Sequence, residues 1–231
     1  MDPTGILLQT ALLGDLSAAD VEELLPDLRA RGLARGETVW LEGDPADTVV
    51  VVAEGQLKAH RVSIDGRELV VAVYPAVSVT GEVGAFHPAG VRWLGLTAMV
   101  PTRVLVLRRE PLLDFLARHP VAMRRMLESL CMAAVRAANS FSGMAFDDIG
   151  RRVAALLLDL AADHGHPSPD GVRIGLRLSQ GDLAAQIGAT RENVNRALGT
   201  LVASGVVSQR GGHFHVHDRV ALAQAARGDH L

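Results

Sequence analysis

Arg191, Glu192, Asn195 and Arg196 fall within six consecutive residues of the stretch ATRENVNRALGTL, 189–201. Their side chains are the types that hydrogen-bond the edges of base pairs. Arginine bonds guanine O6 and N7 together, glutamate accepts from the cytosine amino group, and asparagine pairs with adenine. At about 100° per residue, counting from Arg191, Asn195 lies at about 40°, Glu192 at about 100° and Arg196 at about 140°. Val194, Ala197, Leu198 and Leu201 fill the range from about 240° to 340° on the same count. The polar residues therefore share one helical face, separate from the apolar stripe. The plainer alternative is a solvated face in which Arg191 and Asn195 are an i,i+4 neighbour pair.

The surrounding sequence supplies the elements that would aim this face. Thr190 caps the helix and is counted with the DNA-binding residues at its start. Ser179 and Asp182 form an S-x-x-D cap for a preceding short helix, QGDLAAQI, and Gly188 breaks it. Two short helices joined by a glycine-bearing turn have the outline of a helix-turn-helix. GVVSQRGGHFHVHD then predicts a hairpin turning at Gly211-Gly212. Helix, turn, helix and hairpin make a winged helix whose second helix enters a DNA groove. On this reading Arg210 in the wing meets phosphate, and Ser179 and Gln180 reach phosphate from the first helix.

Upstream the texture changes twice. Residues 17–30 read as a short helix, capped by Ser17 and Asp20 and disturbed by Pro26. From about 35 to 108, β-branched runs such as TVVVVA and LVVAVY alternate with turn signals, the pattern of a sandwich or barrel. Pro120 opens a long helix to about residue 142. Along it Met123, Leu127, Leu130, Ala134, Ala137 and Phe141 recur at spacings of four and three, a seam suited to a second copy of the chain or to its own domain. GMAFDD, 143–148, reads as a hinge, with Asp147 or Asp148 capping the next helix, which ends at Gly165. HGHPSPDG follows as a polar loop.

Composition excludes several classes. Nearly half of the 231 residues are apolar, enough for a core, and the net charge of −3 gives no global field for nucleic acid. Any DNA contact must use a local patch, built from arginine because Lys58 is the only lysine. One cysteine, Cys131, forms no internal disulfide, fits a reducing cytosol, and cannot supply the roughly four thiolates of an iron–sulfur cluster. The N-terminus lacks a basic signal-peptide region, and no apolar run approaches a membrane span, so a cytoplasmic location without membrane contact is expected. No nucleophile with its base, phosphate-cradling loop or spaced carboxylate pair points to an enzyme. His213, His215 and His217 alternate onto one face, where they either bind a metal or form the polar side of a half-buried strand.

LSQGDLAAQIGATRENVNRALGTLVASGVVSQRGG resembles the DNA-binding domain of the CRP/FNR transcription regulators, and Arg191, Glu192, Val194 and Arg196 match its R-E-x-V-x-R motif. GETVWLEGDPADTVVVVAEGQLKAHRVSIDGRE is similar to the opening of that family's cyclic-nucleotide-binding β-roll, and FDDIGRRVA to its hinge. The resemblance spans nearly the whole chain. It implies an α+β protein: a β-roll (a double-stranded jelly roll) over 1–119, a dimerisation helix and hinge over 120–146, and a winged helix-turn-helix over 147–231. It further implies a homodimer joined through helix 120–143 on palindromic double-stranded DNA, half-sites resembling TGTGA with the arginines on guanines, and RNA polymerase as a further partner.

The resemblance also implies an effector site. Gly81 and Glu82 begin a G-E-x-G-x-F run, and Arg92 follows Glu82 at the family's spacing of ten residues. Gly81 would meet phosphate through its amide, Glu82 the ribose and Arg92 the phosphate. An empty pocket in which Glu82 and Arg92 simply pair is the alternative. Trp93 and Leu94 stand where the cAMP receptors carry a small hydroxyl and a small apolar residue. Ala137 and Ala138 replace the two polar residues that meet the purine. These changes lower the expectation for cAMP and leave cGMP, a cyclic dinucleotide or no ligand as comparable outcomes, with Trp93 available to stack on a larger base.

Overall fold

A computed structural model describes residues 2–228. The chain forms two compact units, one of residues up to Gly66 with Val71–Val135, the other of Arg67–Val70 with Arg136 onward.

The first unit starts with α1 (Pro3–Leu7) and α2 (Ala18–Glu22), the latter held by a complete Ser17–Asp20 capping box. The predicted helix over 17–30 is shorter than expected. It ends at Glu22, a single 3-10 turn carries Pro26, and the chain then enters β1 (Leu28–Leu33). Pairing of β1 along its whole length with Thr102–Leu107 of β8 (Thr102–Arg108) overrides the local helical pattern. Between them lie β2 (Thr38–Trp40), β3 (Thr48–Glu54), β4 (Gln56–Val62), β5 (Glu68–Pro75), β6 (Val79–Thr80), α3 (Glu82–Phe86) and β7 (Gly95–Ala98).

Two antiparallel sheets result, ordered β1-β8-β3-β6 and β2-β7-β4-β5. Four consecutive valines of β3 are buried because that strand is covered on both faces, which is why its sequence does not alternate. Val50 and Val52 pack between the sheets with Leu57, Leu96, Ala98 and Val104. Val49 and Val51 face the other way, toward Leu7, Val21, Leu24, Phe115 and Met126. That second cluster is roofed by α1, α2, α4 (Arg109–Arg118) and the start of α5 (Pro120–Phe146).

α5 runs four residues beyond the expected end, so the interruption in GMAFDD shrinks to Asp147 and Asp148. Its apolar residues divide. Ala122 and Met126 are buried and Met123 and Leu130 pack against the first unit's core, whereas Leu127, Ala134, Ala137 and Phe141 are exposed. The predicted seam thus loses Met123 and Leu130 to the chain's own core.

The second unit begins with α6 (Ile149–His164), capped by the Asp148 carboxylate on the Arg151 amide. HGHPSPDG is not a loop. Its residues enter β9 (Gly165–Ser168), which pairs with β10 (Gly171–Ile174). Then come α7 (Gln180–Ile187), α8 (Arg191–Ala203), β11 (Val207–Arg210), β12 (His213–Val216) and α9 (Arg219–Arg227). The strands form one sheet in the order β11-β12-β10-β9, so the expected hairpin is half of a four-stranded wing. Buried Leu157, Leu183, Ile187, Val194, Leu198, Leu201, Phe214 and Leu222 make up this unit's core, drawn from all four of its helices and the wing.

Candidate functional site

Capping residues place the two central helices. The Ser179 hydroxyl accepts from the Asp182 amide at 3.1 Å and donates to the Asp182 carboxylate at 2.7 Å, and that carboxylate accepts from the Ser179 amide at 2.7 Å. The Ser179 side chain is thus committed to starting α7, which weakens its sequence-based role at a phosphate. Half-buried Gln180 follows in the first turn. Gly188 closes α7 with φ of 62°, and the Thr190 hydroxyl then accepts from the Asn193 amide at 3.3 Å to open α8.

Val194, Leu198 and Leu201 anchor α8 from below, each less than 5 % exposed. Arg191, Glu192, Asn195 and Arg196 stand exposed on the opposite side. Among the described residues their side chains enter no hydrogen bond or ion pair, so the i,i+4 pair between Arg191 and Asn195 does not form. Four side chains rich in donors and acceptors therefore face solvent together.

Beside them stands the wing. Gly211 and Gly212 both take positive φ, 59° and 83°, as a two-residue hairpin turn requires. The wing is tied to the entrance of α7: the Leu178 amide donates to the Gly212 carbonyl at 3.1 Å, and the Gln209 amide group donates to the Leu178 carbonyl at 3.1 Å. Arg210, at the wing tip, lies 3.6 Å from Asp170, with both side chains more than 60 % exposed. Such a pair is worth at most about 1 kcal/mol and is readily exchanged for another anion.

Two of the wing histidines bond the protein itself. His217 bonds the Asp170 carbonyl at 2.7 Å and the Ser208 hydroxyl at 2.8 Å through its two nitrogens, and His213 bonds the Ile174 carbonyl at 3.1 Å. Phe214 and Val216 between them are buried, so the alternation separates a polar side from a core side.

In the first unit, Gly81 sits at the N-terminus of α3 with φ of 98°, and Glu82 is buried just after it. The structure brings Arg92 to this place. One terminal nitrogen of Arg92 donates to the Gly81 carbonyl at 3.2 Å, and the other to the carbonyl and hydroxyl of Thr48 at 2.7 and 2.8 Å. Its guanidinium lies 3.8 Å over the Trp40 ring, a cation–π contact that sequence spacing gave no sign of. The bridge between Pro45 and Val91, with backbone bonds from Arg92 to Asp44 and from Gly43 to Arg92, creates this neighbourhood across some 48 residues. Burial pulls the Arg92 pKa down, and the carboxylates of Asp47 and Asp44 act in the opposite direction. Trp93 is placed differently: the residue is 48 % exposed, and its ring meets His87 edge-on at 5.1 Å.

These residues suit an anionic group in charge and shape. Arg92 Nε is buried with no hydrogen-bond partner among the described residues, and any side chain at Gly81 would press within about 3.0 Å of Arg92 and Trp40. The two terminal nitrogens of Arg92 are already engaged by the protein, so a phosphate there has to compete with Thr48 and Gly81.

Comparison with known proteins agrees with this layout. Residues 30–119 match the model of the cyclic nucleotide-binding domain, and residues 151–225 that of the Crp-like helix-turn-helix domain. The chain is 33 % identical over 203 residues to a global nitrogen regulator of Synechocystis, covering 87 % of this chain and 90 % of that protein. It is 29 % identical over 222 residues to a CRP-like cAMP-activated global transcriptional regulator of Mycobacterium tuberculosis, covering 96 % and 99 %. Among solved structures, the c-di-GMP responsive global regulator CLP of Xanthomonas campestris superposes with a TM-score of 0.71 at 25 % identity, covering 87 % of this chain and all of that one. A β-roll, a long helix and a winged helix-turn-helix, each with the sequence features that build it, place this chain in the CRP/FNR family of transcription regulators.

Proposed function

We propose that the protein acts in the cytoplasm as a homodimer that reads a palindromic DNA site through α8 and brings RNA polymerase to, or keeps it from, a promoter. Arg191, Glu192, Asn195 and Arg196 contact base edges. Thr190 sets the start of their helix, Arg210 and Gln180 at the head of α7 hold phosphates, Ser179 serves α7 as its cap, and α5 joins the two copies. The observation that carries this reading is the exposed, unpaired quartet on α8, four side chains of base-reading type presented together on the second helix of a helix-turn-helix beside a wing. Selection of random duplexes by the purified protein tests it. Recovery of an inverted repeat with guanine-bearing half-sites is expected, and a pool with no palindrome contradicts it.

The β-roll then carries the signal. Gly81, Glu82 and Arg92 form the subsite for a nucleotide phosphate and ribose, with Trp93 at its edge. One relative is cAMP-activated and one structural neighbour is c-di-GMP responsive by name, so both nucleotides and cGMP are natural ligands to try. A second reading, a β-roll that is only structural, is favoured by one observation. Thr48, Gly81 and Trp40 already satisfy most of the Arg92 guanidinium. A ligand shifts DNA affinity only by binding the two conformations unequally. DNA binding without added cAMP, and little enhancement when it is supplied, is therefore expected. Calorimetry with cAMP, cGMP and c-di-GMP, with Arg92→Leu as control, separates the readings. Tight cAMP binding that Arg92→Leu abolishes and that switches on DNA binding contradicts this expectation.

A further inference from the structure

Asp20 of α2, Glu23 just after it, and His119 between α4 and α5 each bring a potential ligand atom within 4.8 Å of the others. One oxygen of each carboxylate is already used: Asp20 Oδ2 accepts from the Ser17 amide and hydroxyl at 3.1 and 2.6 Å, and Glu23 Oε2 accepts from Arg118 at 2.9 Å. The second oxygen of each stands outside these bonds.

His119 completes the group. Its Nε2 lies 3.6 Å from Glu23 Oε1, too far for a hydrogen bond. The atom has no solvent access and no hydrogen-bond partner among the described residues. Phe115 stacks on the imidazole at 4.2 Å between centroids, and the His119 amide donates to the Phe115 carbonyl at 3.0 Å, so the ring is held where it is. A buried nitrogen left unsatisfied is costly, and a metal ion would accept its lone pair.

We propose that Asp20, Glu23 and His119 bind a divalent transition metal ion of the zinc class, with water completing the coordination. Ligand bonds of about 2.0–2.2 Å require the carboxylate oxygens to draw in toward the fixed imidazole, which rotation of the Asp20 and Glu23 side chains provides. One imidazole with two carboxylates favours zinc, nickel or iron over magnesium and calcium, which prefer oxygen alone. The ion would fasten α2 to the foot of α5, within the first unit. Arg118 opposes it by holding a cation against Glu23.

Calorimetric titration of the metal-stripped full-length protein with zinc chloride tests the site. One ion per chain is expected. Glu23→Gln and His119→Asn should each weaken binding at least tenfold while the circular dichroism stays that of the parent. Arg118→Gln should tighten it, a gain that no folding defect imitates. Absence of binding, an affinity unchanged in Glu23→Gln and His119→Asn, or a loss seen only when His213, His215 and His217 become Asn, each overturns the proposal.

Discussion

Arg92 and Arg196 show the two ways this chain uses a guanidinium. Arg92 is 4 % exposed, and its two terminal nitrogens and its face are stabilised by carbonyls, a hydroxyl and an indole, which helps a buried cation to remain charged. Arg196 is exposed and makes no such bond. Gly81 sits at the first of these sites, where φ of 98° and the close approach of Arg92 and Trp40 leave no room for a methyl group. Gly81→Ala is expected to cost about 1–3 kcal/mol of stability, read from urea unfolding; a midpoint equal to the parent's would show that this corner relaxes freely. Arg210, whose one ion pair is exposed, is assigned to phosphate. Arg210→Ala should weaken binding to all sequences about equally and reduce the slope of log affinity against log salt by about 1. A change confined to one base position would move Arg210 to the base-reading group.

At the scale of elements, the caps and periodicities were legible in the sequence and the long-range pairings were not. Ser179, Asp182, Gly188 and Thr190 lie where local chemistry alone starts and stops α7 and α8, and the structure uses each of them. The hairpin turn at Gly211-Gly212 was readable for the same reason. The helix read over 17–30 took in residues 28–30, because only the distant β8 makes them the start of a strand, and β9 was missed because its partner follows a turn of polar residues. The helix α9 carried a readable signal in Asp218, whose carboxylate caps the amides of Val220 and Ala221, and in Gly228. The surroundings of Arg92 were illegible, since Thr48 and Trp40 reach it only through closure of the two sheets. Ser179→Ala tests whether the cap or DNA is that residue's main role. A loss of about 1 kcal/mol in stability is expected from the missing cap, with DNA affinity below the unfolding transition nearly unchanged. A large loss of affinity in the folded variant would restore Ser179 to the phosphate contacts.

At the scale of the whole molecule, the exposed side of α5 is the surface that the proposed function gives to a second copy. Leu127, Val135 and Phe141 are each more than 50 % exposed, an unusual surface for an isolated chain. Leu127→Glu leaves the core residues Ala122 and Met126 untouched and would bury an unpaired charge between two copies. The variant should sediment as a monomer and lose affinity for a palindrome while keeping its circular dichroism. An undisturbed dimer would place the contact elsewhere. The proposed function depends above all on base reading by the outward face of α8. Its most direct test is the affinity of Arg196→Ala for the selected duplex and for duplexes carrying each of the other three base pairs at the contacted position. A loss of about 1–3 kcal/mol on the preferred base pair and little on the others is expected, so that the four become nearly equivalent. An equal loss on all four, or no loss on any, would contradict it.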